Sequence, residues 1–266
     1  MKTAVLGKYM PLNSPIHNLD PRAKIIAMFL LIVAVFVPQN YFVTLGLFAI
    51  ILICVIISRI GFKYILQAFK PLIFMMFFLL VINILTVKNG TLLASIGPLS
   101  IYTGALSSTL AVVTRLVMMI MLTTLLTATT KPLDLTLGIE YILGPLKIVK
   151  FPVHEVAMMI SIALRFIPTI IEETMRIMNS QKSRGVDFEE GKLKEKISAI
   201  LSLIVPLFAA AFQRAYDLAD AMEARGYVPG ANRTKYRKLA YRFSDFVVIF
   251  FSIAILGLSI ASRFVL

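Results

Sequence analysis

Apolar runs separated by short basic connectors fill the first half of the chain, whereas in the second half apolar stretches grade into charged ones. No residue from Ile25 to Ser58 is charged. As a single helix that stretch would extend roughly 50 Å, well past a hydrocarbon layer of about 30 Å. It must therefore fold back, and Pro38-Gln39-Asn40 is the turn. Asp20-Pro21 reads as an N-cap followed by proline at the first helical position, so the first span, a rather short one, starts there. The second span ends before a basic loop marked by Arg59, Lys63 and Lys70. A third runs from about Pro71 to Val87, and Lys88-Asn89-Gly90 then turns the chain into a mildly polar loop. A fourth runs from about Gly104 to Thr127, and the last lies between Asp245 and Arg263.

Between the fourth and fifth spans, residues 131–242 carry most of the charge, and their periodicity is helical and one-sided. Val153, Val156, Ile160, Leu164, Ile167, Ile171 and Met178 recur on one face of a first helix. Ile200, Ile204, Leu207, Ala211, Leu218 and Met222 do the same in a second. Each helix starts apolar and ends charged, with Pro168 and Pro206 inside, where a lost backbone hydrogen bond bends a helix. Val156–Ile171 and Ile197–Gln213 are apolar enough to imitate spans. Were both to cross, the connector with Arg176, Lys182, Arg184, Lys192, Lys194 and Lys196 would be exported, against the positive-inside rule. They are therefore expected to lie along the inner membrane face. The same rule places the N-terminus and the Arg59 loop in the cytoplasm and Leu266 outside. The expected organisation is a four-span domain over 1–130, a cytoplasmic domain over 131–242 and a last span over 243–266.

Each amphipathic helix closes on a similar tripeptide, Ser183-Arg184-Gly185 and Ala224-Arg225-Gly226. Glycine past a helix end accepts the left-handed conformation of a C-terminal cap. Arginine there complements the negative pole of the helix, and its five-donor fork grips carboxylates or carbonyls of another protein. One such end is an ordinary capped helix; two on helices of like build suggest a repeated contact.

Hydrophobic residues at 59% against charged residues at 15% exclude a soluble domain and identify an all-α polytopic membrane protein. The net charge of +13 would suit nucleic acid, but the basic residues flank apolar runs as topology requires, so no nucleic-acid partner is expected. Cys54 is the only cysteine and His17 and His154 the only histidines, which leaves no disulfide and no metal motif. No glycine loop ends in Lys-Ser or Lys-Thr, so ATP chemistry and cofactors are not expected on this chain. Glu189 and Glu190 read as a solvated linker. Asn83 is expected to hydrogen-bond between helices, whereas Arg115, deep in the fourth span, either has a role of its own or is satisfied by helix carbonyls. A self-sufficient secondary transporter or channel is the rival reading. It would carry acidic or histidine residues inside its spans, and these spans have none.

Over nearly its whole length the chain resembles the transmembrane T component of energy-coupling factor transporters, the vitamin-uptake branch of the ABC transporters. The matching motifs are Ser14 with His17-Asn18-Leu19-Asp20-Pro21-Arg22, Thr129-Thr130-Lys131-Pro132, Arg165-Phe166-Ile167-Pro168 and the two Arg-Gly ends, the first with Ser183 where the family has alanine. The resemblance implies a non-catalytic subunit of the cell membrane. Its two ends would each dock into one of two cytoplasmic ATPase subunits, identical or not. The apolar faces that include Ile160, Leu164, Ile200, Ile204, Leu207 and Ala211 would contact a substrate-binding membrane S component.

Overall fold

A carboxylate before a proline starts the first helix where the sequence places it. In the computed structural model, which describes residues 9–37, 40–96, 99–149, 151–188, 192–229 and 239–265, α1 spans Pro21–Phe36. Asp20 caps it, accepting a hydrogen bond from the Arg22 amide at 2.9 Å. Helix α2 spans Tyr41–Ile57 and α3 Phe62–Thr86, with a bend of 53° between Phe62–Lys70 and Leu72–Thr86, on either side of Pro71. Pro38 and Gln39 of the expected turn, and Glu189 and Glu190 of the expected linker, lie outside the described residues. A short antiparallel hairpin, β1 (Leu92–Ile96) and β2 (Leu99–Tyr102), occupies the loop after α3. Then follow α4 (Thr103–Thr129), α5 (Pro132–Ile142), a 3-10 turn (Gly144–Val149), α6 (Val153–Ser183), α7 (Leu193–Ala224) and α8 (Phe243–Val265).

The described residues form two compact units, one within 9–142 and 239–265 and one within 143–229. In the first, α1 packs most extensively on α8. Each buries small residues, Ala23, Ala27 and Ala34 on α1 and Ser252 and Ser259 on α8, which lets helices approach closely in lipid. Val35, Leu47, Ile51, Met118 and Leu122 continue the core through α2 and α4. Asn83 donates to Thr109 Oγ1 at 3.0 Å, tying α3 to α4 as expected. Outward, Phe42 and Phe74 are 90% and 79% exposed, an inversion that water would penalise and a lipid phase does not.

Helices α1 and α8 run in the same direction, pinned at both ends. Asp245, fully buried in the first turn of α8, accepts from the Asp20 amide at 2.8 Å and from the Arg242 amide at 2.7 Å, so one carboxylate serves the N-termini of two helices. At the far ends Asn40 donates to the Ser262 carbonyl at 3.5 Å. Helix α4 returns, since Lys24 Nζ reaches the Thr129 carbonyl at 3.0 Å.

By length and apolarity α4, α6, α7 and α8 are each able to cross a membrane, and α3 as a bent span, whereas α1 and α2 have only 16 and 17 residues. Those two extend about 25 Å, near the lower limit for a span. Length and apolarity therefore do not separate α6 and α7 from the other candidate spans.

Replacing Asp245 with alanine should leave one buried and one part-buried amide without an acceptor and cost on the order of 2 kcal/mol. Thermal unfolding of the detergent-solubilised protein should fall in the order wild type, D245N, D245A; three coincident transitions would refute the dual-cap role.

Candidate docking surface

The two Arg-Gly ends are built alike down to single hydrogen bonds. At the end of α6, the Gly185 amide donates to the Lys182 carbonyl at 3.0 Å and the Val186 amide to the Gln181 carbonyl at 3.1 Å. At the end of α7, the Gly226 amide donates to Glu223 at 2.8 Å and the Tyr227 amide to Met222 at 2.9 Å. Both are Schellman caps, with glycine at φ +85° and +74° respectively. A Cβ on either glycine would meet nothing within 4 Å, so backbone conformation alone requires glycine here. Ser183, Arg184, Gly185, Ala224, Arg225 and Gly226 are all exposed, and among the described residues neither guanidinium has a hydrogen bond or ion pair. A preorganised, unspent arginine fork on a rigid helix end is suited to a carboxylate or carbonyl cluster on another protein.

The helices that carry these ends lie antiparallel where they touch. Gln181 Nε2 donates to the Ser202 carbonyl at 3.4 Å, and Arg214 pairs with Glu173 at 3.1 Å, half-shielded from water. Since Gln181 is level with Ser202 near one tip, the Arg225 tip lies roughly 35 Å further along α7. The two contacts thus point away from one another, separated by about the width of a small domain. Beside the first tip, Gly185, Asp187, Glu195 and Ser198 line a hollow of about 400 Å³, and Glu195 closes the start of α7 by accepting from the Lys192 amide at 2.9 Å.

Apolar surface on this unit exceeds the stripes expected from periodicity. Ile160, Ile200 and Ile204 are 44%, 50% and 37% exposed, Leu164 and Leu207 are half-buried, and Ala211 is exposed. A second ridge along α7, Val205, Phe208, Phe212 and Tyr216, is more exposed still. Its i, i+3 and i, i+4 spacing was available in the sequence but masked by the apolar residues on every side of that helix.

Two of the remaining motifs, the one from Ser14 to Arg22 and Thr129-Thr130-Lys131-Pro132, gather at one end of the other unit. Asp20 holds the Arg22 side chain through Oδ1 to Nε at 3.1 Å and Oδ2 to Nη2 at 3.0 Å. The guanidinium is stacked between Tyr241 at 3.9 Å and Tyr141 at 4.8 Å from the ring centroids. Lys24 Nζ donates to the His17 carbonyl, the Thr129 carbonyl and Thr130 Oγ1, using its three protons. His17 Nε2 donates to the Met10 carbonyl, so the Ser14 hydroxyl donates to Nδ1, and burial holds the imidazole below its ordinary pKa and neutral. The chain leaves this unit after Ile142 and returns at Leu239, so Tyr141 and Tyr241 mark both crossing points beside one cation. Within α6, Pro168 sits inside a continuous helix and Arg165 is exposed. Arg115 lines a recess beside α2.

Alanine at Gly185 or Gly226 should cost about 1 kcal/mol of local strain. Amide exchange over 184–186 or 225–227 should then rise about fivefold while the rest of each helix is unchanged. Unaltered exchange would mean that the caps do not set these ends.

Residues 12–236 match the CbiQ family, described as cobalt transport protein. The chain is 46% identical over 94% of its length to the energy-coupling factor transporter transmembrane protein EcfT of Bacillus subtilis, with 94% of that protein covered. It is 44% identical to the EcfT of Listeria innocua, with 97% of each chain covered, and 42% to that of Streptococcus equi, covering 97% of this chain and 96% of that one. A polytopic helical chain that matches both the family model and these full-length relatives belongs to the CbiQ family, among the EcfT membrane components of energy-coupling factor transporters.

Proposed function

We propose that this chain is the coupling subunit of an importer, carrying movements of two cytoplasmic ATPase subunits, a heterodimer or a homodimer, to a separate substrate-capturing membrane subunit. Arg184 and Arg225 are the docking pegs, one for each ATPase. The observation that carries this reading is their equivalence, two identical Schellman caps presenting unspent guanidinium groups. Paired ATPases present two equivalent sockets, and an unsymmetrical membrane protein holds both only by duplicating its peg.

Closure of the ATPases would change the distance between pegs, and antiparallel α6 and α7, joined by the Glu173–Arg214 pair, would turn that change into a rotation of their apolar faces. Ile160, Leu164, Ile200, Ile204, Leu207 and Ala211 on those faces would contact the S component. In this arrangement the N-terminus and residues 131–242 are cytoplasmic, four spans precede that domain and the span over 243–266 follows it. Recognition of cargo, vitamins or related micronutrients, would reside in the S component and ATP hydrolysis in the ATPases, so neither demands a cofactor on this chain. The relatives' names support a transporter component; the family description as a cobalt transport protein concerns a cargo that the partner would select.

Arg184→Ala or Arg225→Ala should lower the ATPase recovered with the affinity-tagged subunit several-fold, and the double variant should abolish uptake while membrane insertion stays normal. Lysine keeps the charge without the fork, so lysine variants should fall between. Wild-type uptake by the inserted double variant would end the proposal.

A further inference from the structure

The recess lined by Arg115 is not used in the coupling role. It opens between α2 and α4, with Tyr41, Leu45 and Phe48 on one wall and Leu110, Val117 and Arg115 on the other, and encloses about 460 Å³. Its walls are apolar apart from a few hydroxyls and the guanidinium. Helix α2 starts beside the end of α8 and α4 ends beside the start of α1, so the two run in the same direction, and the recess is lined by residues from Tyr41 to Phe48 on one and from Leu110 to Val117 on the other. Helix α4 begins at Thr103 and so continues for about 10 Å beyond the point where α2 starts.

That mismatch sets the depth of the charge. Measured along α4, Arg115 is near mid-span; measured from the end of α2, it is little more than one turn down, about 7 Å. A bilayer that meets helices as short as α1 and α2 thins beside them, which brings the headgroups of that leaflet toward the recess. An arginine at such a depth lifts its head toward the interface and draws polar lipid groups to itself. Tyr41, 61% exposed at the rim, is the residue type that settles at headgroup level. Arg115 already has an interaction within the chain, but its five donors leave capacity for a further acceptor.

We propose that this recess is a binding site for an anionic phospholipid, the phosphate taken by Arg115 and an acyl chain lying along Leu45, Phe48, Leu110 and Val117. Guanidinium matches phosphate in geometry as well as charge, through two parallel hydrogen bonds. A soluble phosphate would satisfy the same donors but would leave the apolar walls facing lipid or water. The walls therefore favour a lipid over a free anion. The site holds whichever face of the membrane α2 starts from, so it stands independently of the coupling role.

The test uses the transporter co-expressed with its partner subunits, extracted with its native lipid and examined by native mass spectrometry during stepwise delipidation. Wild type should retain phosphatidylglycerol in preference to phosphatidylcholine, R115Q should retain about tenfold less, and R115K an intermediate amount. A111F fills the recess while keeping the arginine, and should lower retention as well; it decides the matter if R115Q does not fold. Equal retention by wild type and R115Q, or full retention by A111F, would overturn the proposal. Displacement of the lipid by millimolar inorganic phosphate or glycerol phosphate would also overturn it, by pointing to a soluble ligand.

Discussion

A membrane protein made of short helices has to bring their polar ends together without water, and here a single carboxylate does so. Asp245 is fully buried, yet it accepts from the backbone of both α1 and α8 at their first turns, where two helix dipoles point positive poles at it. Asp20, Arg22 and Lys24 stand at the same end, and Asp134, Asp245 and Asp20 all act on the Lys24 ammonium. Charges of this kind are tolerated away from water only when paired and fully hydrogen-bonded. Other elements at this end of the bundle inherit its position: the return of α4 through Thr129 and Thr130 and the start of α5 at Pro132, with Tyr141 and Tyr241 against the Arg22 guanidinium.

This gives the N-terminal and post-α4 motifs a physical meaning different from that of the Arg-Gly ends. The former are consumed internally; their donors and acceptors are already spent on one another. The latter are held rigid by their caps while the side chains remain available. In the proposed coupling role, contact groups left unspent by the chain's own fold are the ones available to a partner. The exposed apolar surface of α6 and α7 belongs with the second group, since it is too large to leave against water and is crossed by only a few internal polar contacts.

What could be read from the chain alone was whatever depends on neighbours in sequence. Asp20-Pro21 announced a capped helix start because both effects act within one turn. Gly185 and Gly226 announced left-handed caps because no other residue takes that conformation cheaply. Asn83 announced an interhelical bond because an amide in an apolar span needs a partner. Asp245 looked like the edge of a span, since nothing local reveals an acceptor serving an amide 225 residues away. The stacking of Arg22 on Tyr141 and Tyr241, each more than a hundred residues away in the chain, was hidden for the same reason. Periodicity found one stripe on α7 and missed the Phe208–Tyr216 ridge, because a helix apolar on several sides has no unique direction. The recess at Arg115 arises from a difference in length between α2 and α4, which becomes visible only when their levels are known.

The central claim is that two equivalent arginine ends each meet a different ATPase subunit. Its most direct test is photo-crosslinking in intact membranes, with a photoreactive amino acid placed at position 184 or 225 and the transporter at natural stoichiometry. Docking requires each position to capture an ATPase subunit in a one-to-one adduct, with different ATPase copies held by the two positions in a doubly labelled chain. Capture of only lipid or of the S component at either position, or labelling of either position by an impermeant reagent from outside the cell, would contradict it.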